Sequence, residues 1–236
     1  MAISLRVALA SIVCVALCGC SHHGSPAEHF SAWQANPVLT GQLGPETAVE
    51  GYGLRLPTGY QLMQADTLPF LRPFGVDMHM WSGDKSDPRG RSTFSVIFVQ
   101  RFNAATPEDV LRQCQSQNRR DLTRFVQSTT ERGTINGIPF ARTYWSGVET
   151  FHSTGRTLLV QGCSYATTNY AHGVYFEGRN SVDCQGDACR PQAVENTTLP
   201  LAEAAVFTFH KDSKVARTRW TAQHALQLTP DGAVFA

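Results

Sequence analysis

One well-delimited helix, set between two groups of alternating segments, most constrains the fold of this 236-residue chain. Thr106 can cap the helix, Pro107 suits its first turn, and Glu108 and Asp109 favour the positive end of the helix dipole. The helix is predicted to run to about Arg119. On both sides the sequence alternates between apolar and polar residues, which is typical of half-buried strands.

The segments around this helix resemble strands in their residue pattern. Asn136-Gly137, a pair that favours a tight hairpin turn, separates residues 125–135 from residues 138–145. A second helix is predicted over residues 201–209, although the β-branched and aromatic residues at its end would also suit a strand. Strands, a helix, further strands and a final helix predict an α+β domain in which helices flank an antiparallel sheet. The other predicted strands cover residues 51–57, 60–63, 76–81, 94–99, 157–165 and 170–176.

The amino terminus has the proportions of a secretory signal peptide. Arg6 precedes a mostly apolar run of residues 7–17, shorter than the roughly 20 residues that a membrane-spanning helix needs. The run ends in Leu17-Cys18-Gly19-Cys20, which resembles a bacterial lipobox. That resemblance implies cleavage after Gly19 and lipidation of Cys20. The alternative is an ordinary signal peptide that is cut nearby and leaves a soluble periplasmic protein.

The predicted organisation has four parts. Residues 1–19 form the signal peptide, and residues 20–48, rich in Ser, His, Gly and Pro, form a lipidated amino terminus and flexible tether. Residues 49–210 form a single α+β domain, and residues 211–236 form a carboxy-terminal tail. Ser21 after Cys20 is similar to the residue found in outer-membrane lipoproteins of the enterobacterial type, which implies the outer rather than the inner membrane.

The charge balance excludes one class of partner. The chain has 20 basic and 19 acidic residues, and removal of the signal peptide takes away one basic residue, Arg6. A chain without net charge lacks the surplus of Lys and Arg that nucleic acid requires. The expected partners are the membrane, through the lipid on Cys20, and an envelope protein or glycan that the sequence does not identify.

The cysteines suit an oxidising compartment. Four lie beyond the predicted lipid site: Cys114, Cys163, Cys184 and Cys189. An even number in an exported chain predicts two disulfides. Of the three connectivities, Cys184–Cys189 with Cys114–Cys163 is favoured, because a Gly-Asp turn can bring Cys184 and Cys189 together. A zinc site is less favoured because the spacing lacks a pair separated by two residues.

Three segments together resemble the Mog1/PsbP-like family, an α/β/α sandwich that includes small envelope lipoproteins. They are Gly51-Tyr-Gly-Leu-Arg-Leu-Pro-Thr-Gly-Tyr60, Ile135-Asn-Gly-Ile-Pro-Phe-Ala-Arg-Thr-Tyr-Trp145 and the closing helix near residues 200–209. The resemblance covers residues 50–210. It implies an adaptor or accessory domain without a common active site.

The sequence contains no nucleophile elbow, phosphate-binding loop, zinc-protease motif or dinucleotide fingerprint, so no catalytic residue and no cofactor is predicted. Met78-His79-Met80 is interpreted as two core methionines and one surface histidine, and no metal site is predicted. The predicted function is therefore a non-catalytic binding or accessory module of the cell envelope. A periplasmic hydrolase is the alternative, with His152, His172 and Asp183 as its only candidate catalytic residues.

Aromatic residues that are exposed would mark a surface that binds a partner. The candidates are Trp81, Tyr144, Trp145, Tyr165, Tyr170 and Tyr175.

Overall fold

The computed structural model describes residues 30–63, 76–83, 90–100, 106–168, 172–192 and 199–211. The predictions for the signal peptide, for Cys20, for Tyr170 and for residues 212–236 lie outside these ranges. None of the helices in the described ranges is long and apolar enough to cross a bilayer.

Two sheets and three α-helices make up the described residues. The larger sheet contains β1 (Ser31–Ala32), β4 (Gln61–Leu62), β5 (Val76–Ser82), β6 (Arg91–Gln100), β7 (Thr123–Gln127), β8 (Glu131–Ile135), β9 (Ile138–Phe151), β10 (Arg156–Thr168) and β11 (His172–Asp183). The smaller sheet contains β2 (Leu43–Val49), β3 (Tyr52–Pro57) and β12 (His210–Lys211). The helices are α1 (Pro37–Thr40), α2 (Pro107–Asp121) and α3 (Pro200–Phe207), and a 3-10 turn covers Gly186–Cys189.

The strand order of the larger sheet is β1-β8-β9-β10-β11-β6-β5-β4, and β7 also pairs with β9. Neighbouring strands run antiparallel except for β1 and β8, which run parallel. The smaller sheet has the order β12-β3-β2 and is antiparallel. The predicted α+β class, with helices against an antiparallel sheet, is confirmed.

Local sequence signals account for α2 and for the central hairpin. Thr106 accepts a hydrogen bond from the Asp109 backbone, and the Asp109 carboxylate accepts one from the Thr106 backbone, which completes a capping box. Asn136 and Gly137 have φ values of 51° and 77° and join β8 to β9 as predicted. The second helix is also confirmed as α3, and the short strand β12 follows it.

The two faces of the larger sheet carry different layers. On β10, the Ser164 hydroxyl accepts a hydrogen bond from Gln115 of α2, whereas Tyr165 donates one to Glu203 of α3. Because successive side chains of a strand point to opposite faces, Cys163 lies on the same face as Tyr165. The helix α2 therefore covers one face, and α3 with the smaller sheet covers the other.

This arrangement corrects the predicted Cys114–Cys163 disulfide. Cys114 is on α2 and Cys163 packs beside Ala202 of α3, so the sheet lies between the two side chains and they are not joined. Burial, with a smaller effect of the Glu177 charge, raises the pKa of Cys114 to about 12. A thiol that stays protonated at neutral pH is a poor nucleophile.

The predicted tether is wrong for residues 31–48, which contain β1, α1 and most of β2. Trp33 packs edge-on against Tyr165, with ring centroids 6.0 Å apart, and the Arg142 guanidinium lies 4.2 Å from the Trp33 ring. Gly133 makes room for this ring, since a Cβ there would lie 2.3 Å from it. Leu43 in the core, Trp33 and Leu39 packed against it, and strand pairing together hold a segment whose composition alone suggests a linker.

Candidate functional site

An open cleft of about 890 Å³ lies at the end of the sheet where β9 turns into β10. The loop that follows β11 forms one wall, and the start of β7 forms the other. Thr123, Thr150 and Thr157 line the cleft between these walls. The lining thus combines polar side chains with apolar ones such as Val148, and the charged side chains that border the cleft decide which ligands it favours.

A disulfide holds the first wall of the cleft. Cys184 and Cys189 are bonded, as predicted, with their Cα atoms 5.2 Å apart. Both pack with Val148 and Leu159 of the sheet. A bridge that closes so short a loop stabilises the protein by about 2 kcal/mol in the chain-entropy description. Its main effect here is to fix the shape of the wall.

The opposite wall carries Arg124 in an unusual backbone conformation. Its φ of 52° places it in the left-handed region, at an irregularity in the pairing of β7 with β9. A non-glycine residue in this region costs about 1–2 kcal/mol. Residues in this conformation are concentrated at turns, bulges and ligand-binding positions. The exposed Arg124 side chain lines the cleft.

A second arginine borders the cleft together with a carboxylate. Arg156 donates two hydrogen bonds to Asp183, at 2.5 Å and 2.6 Å, and both side chains are exposed. These bonds lower the pKa of Asp183 below its ordinary value. An exposed pair contributes little to stability because water screens it. Arg156 can therefore leave Asp183 and bind an acidic group of a ligand at a small cost in free energy, and Asp183 can likewise bind a basic group.

The residues considered for hydrolysis do not come together. His152 lies in the exposed turn between β9 and β10, beside the cleft end of the sheet. His172 begins β11 and Asp183 ends it, so the strand separates them by about 35 Å. Asp183 is also paired with Arg156. His172 and Asp183 therefore cannot act together at one site.

The aromatic residues expected at a partner surface are wrong for that role. All five that the structure describes are buried in the core because the two sheet faces are covered by other layers. They are Trp81, Tyr144, Trp145, Tyr165 and Tyr175.

A buried polar network under α2 is a feature that the sequence analysis missed. The Ser164 hydroxyl accepts hydrogen bonds from Gln115 and from the Trp145 indole, both at 2.9 Å. With both acceptor positions used, Ser164 donates to the Tyr175 hydroxyl, 2.8 Å away. A serine within the apolar strand and a glutamine on the inner stripe of α2 are the sequence signals that could have indicated it.

The network ends on a carboxylate. Glu177 accepts hydrogen bonds from Tyr175 at 2.6 Å and from Asn118 at 2.7 Å. Burial raises the pKa of Glu177 above its ordinary value, and these hydrogen bonds, with the Arg179 charge, offset the rise only in part. Ser164 is fully buried. The network therefore joins α2 to the sheet and presents no reactive group to a substrate.

The comparisons with known proteins bear on the fold. No family model and no curated protein matches the chain. The Ran-binding protein Mog1p of Saccharomyces cerevisiae is 10% identical, covers 72% of this chain and 96% of its own, and has a TM-score of 0.44. A cyanobacterial PsbP from Synechocystis is 13% identical over 76% of this chain and 98% of its own, also with a TM-score of 0.44. LpqN, involved in cell envelope biogenesis of Mycobacterium tuberculosis, is 16% identical over 70% and 87%, with a TM-score of 0.36. These neighbours include both proteins whose family the sequence resembles, and the likeness concerns the fold alone.

Proposed function

We propose that this protein is a non-catalytic lipoprotein of the cell envelope that binds a partner through the cleft beside the Cys184–Cys189 loop. The proposal rests on the charged residues that border the cleft. Arg124 and Arg156 border a cleft lined by Thr123, Thr150 and Thr157, and the residues that line it include no histidine. The one carboxylate among them, on Asp183, is paired with Arg156. Such a set can bind a polar ligand but lacks a general base with a nucleophile in reach.

The chemistry of the cleft favours a polar partner with acidic groups, such as an envelope glycan or the acidic surface of an envelope protein. Guanidinium groups bind carboxylates and phosphates with two parallel hydrogen bonds. Threonine hydroxyls donate to and accept from the hydroxyl groups of sugars. The lipid on Cys20 would hold the cleft close to such partners.

Replacing Arg124 by glutamate is expected to reduce recovery of the partner at least fivefold in a pull-down from detergent-solubilised envelopes. Reversal of this charge repels acidic groups and leaves the rest of the cleft in place. Arg120→Glu is the matched control, because Arg120 is an exposed arginine on α2 whose guanidinium donates to Gln117, away from the cleft. Equal recovery with both variants would show that the cleft is not the binding surface.

Replacing Cys20 by serine is expected to move the protein from the membrane fraction to the soluble fraction, or to leave it as unprocessed precursor. Serine offers no thiol for the lipid, and one signal peptide alone cannot retain a processed chain. Cys14→Ser is the control, because Cys14 leaves with the signal peptide. Membrane fractionation and processing that match the wild type in Cys20→Ser would favour the ordinary signal peptide instead.

A further inference from the structure

His79 does not lie on the surface as its sequence context suggests. It lies on β5 among aromatic rings: Trp81 is stacked on it at a centroid distance of 6.2 Å, and Phe98 contacts it edge-on at 6.3 Å. Its Nε2 atom is buried and has no hydrogen-bond partner within the described part of the chain. A buried ring nitrogen without a partner costs free energy. The buried Nε2 atom of His79 therefore indicates that a ligand binds to this nitrogen.

Two carboxylates approach this nitrogen without bonding to it. Asp77 Oδ1 and Glu50 Oε1 are each 3.8 Å from His79 Nε2, beyond hydrogen-bond distance. The three ligand atoms lie within 4.8 Å of one another. The side chains are partly enclosed, with exposed fractions of 19% for His79, 26% for Asp77 and 39% for Glu50.

The fold builds this cluster from two sheets. Asp77 and His79 share one face of β5 because they are two residues apart. Glu50 belongs to the two-residue turn between β2 and β3, where it has a φ of 48° before Gly51 at 83°. Asparagine or glycine is the usual residue at such a position. The glutamate brings a charged side chain to β5 instead.

We propose that Glu50, Asp77 and His79 bind a divalent transition-metal ion, with Zn²⁺ as the best match. Imidazole nitrogen and carboxylate oxygen are ordinary zinc ligands at about 2.0–2.2 Å. Tetrahedral ligands at that distance lie about 3.4 Å apart, so the two 3.8 Å distances to His79 Nε2 need a shift of a few tenths of an ångström. The two carboxylate oxygens, within 4.8 Å of each other, need a shift of up to about 1.4 Å, which side-chain rotation can supply. Two carboxylates neutralise the charge of the ion, which suits a partly buried position. One coordination position stays open for water or for a ligand from a partner.

Met78 and Met80 take no part in this site. Strand alternation places both on the face of β5 opposite to His79. The ligand set is therefore nitrogen and oxygen without sulfur, which favours Zn²⁺ over Cu⁺.

Titration of the mature chain with Zn²⁺ tests the proposal. The protein is purified without a histidine tag, and His22 and His23 are both replaced by glutamine, because that adjacent pair can itself chelate metal. Calorimetry is expected to show one Zn²⁺ per chain. Co²⁺ as a substitute ion should give the intense visible absorption of a tetrahedral site.

The variants His79→Gln, Asp77→Asn and Glu50→Gln are each expected to weaken Zn²⁺ binding at least tenfold, since the first removes the imidazole nitrogen and the other two remove a carboxylate charge at nearly unchanged side-chain size. His210→Gln is the matched control, because His210 Nε2 lies 3.7 Å from the Glu46 carboxylate but faces one carboxylate only. It should bind Zn²⁺ as the parent does. Melting of the metal-free variants by circular dichroism shows whether each is folded.

Three results would overturn the proposal: no Zn²⁺ binding by the parent, unchanged affinity in folded His79→Gln, or equal losses in His79→Gln and His210→Gln. The first would show that the cluster holds no metal ion. The third would indicate nonspecific binding to histidine–carboxylate pairs.

Discussion

Replacing Gly162 by alanine should lower the free energy of unfolding by about 3 kcal/mol. A Cβ at this position on β10 would lie 2.3 Å and 2.4 Å from two atoms of the Trp145 ring, and 2.9 Å from the Gly178 carbonyl oxygen. Trp145 is fully buried and donates a hydrogen bond to Ser164, so its ring cannot move aside without loss of that bond. Urea denaturation of both proteins measures the difference.

Gly44→Ala is the matched control for this substitution. Gly44 is also in a strand, and a Cβ there would make an ordinary contact, 3.5 Å from the Leu56 carbonyl oxygen. The control is expected to change stability by less than about 1 kcal/mol. Equal unfolding midpoints for Gly162→Ala and Gly44→Ala would show that the Trp145 ring adjusts freely.

Two substitutions of Glu177, by alanine and by glutamine, should change the stability of the protein in opposite directions. Glu177→Ala leaves the Tyr175 hydroxyl and the Asn118 amide without their acceptor, which is expected to cost about 2–3 kcal/mol. Glu177→Gln keeps one oxygen for both donors, since both bond to the same carboxylate oxygen, and it removes the buried charge. We therefore expect Glu177→Gln to be more stable than the wild type at about pH 7.

The pH dependence follows from the raised pKa of Glu177. Between the ordinary glutamate pKa of about 4.3 and the raised folded value, the native state holds more protons than the unfolded state. Wild-type stability therefore falls as the pH rises through this window, and the Gln variant lacks that contribution. Thermal melting should show the advantage of Glu177→Gln shrinking toward about pH 4. An advantage that is constant with pH would contradict the raised pKa.

Elements determined by neighbouring residues could be predicted from the sequence. The Thr106 capping box, the Asn136-Gly137 turn and the Cys184–Cys189 pair each depend on residues a few positions apart. Those signals identified α2, the β8–β9 hairpin and one disulfide, and their order along the chain gave the α+β class.

Features determined by distant residues could not be predicted in this way. Trp33 belongs to the fold only because Gly133 leaves space for its ring. The sequence shows only that Cys114 and Cys163 both lie among apolar residues. The topology of the fold is what places them on opposite faces of the sheet. The approach of Glu50 to His79 likewise depends on how the smaller sheet packs on the larger one.

The position of β1 has a consequence for how the molecule would stand on a membrane. Ser31 pairs opposite Gly133, which in turn pairs with Phe140 near the start of β9, whereas the cleft lies near Thr150 at the end of that strand. The rise of a strand places these two levels about 33 Å apart. About eleven residues join Cys20 to Ser31 and span at most about 40 Å. A chain anchored at Cys20 would thus be attached at the end of the sheet opposite to the cleft, and the reach of the joining segment would leave the cleft accessible to a partner.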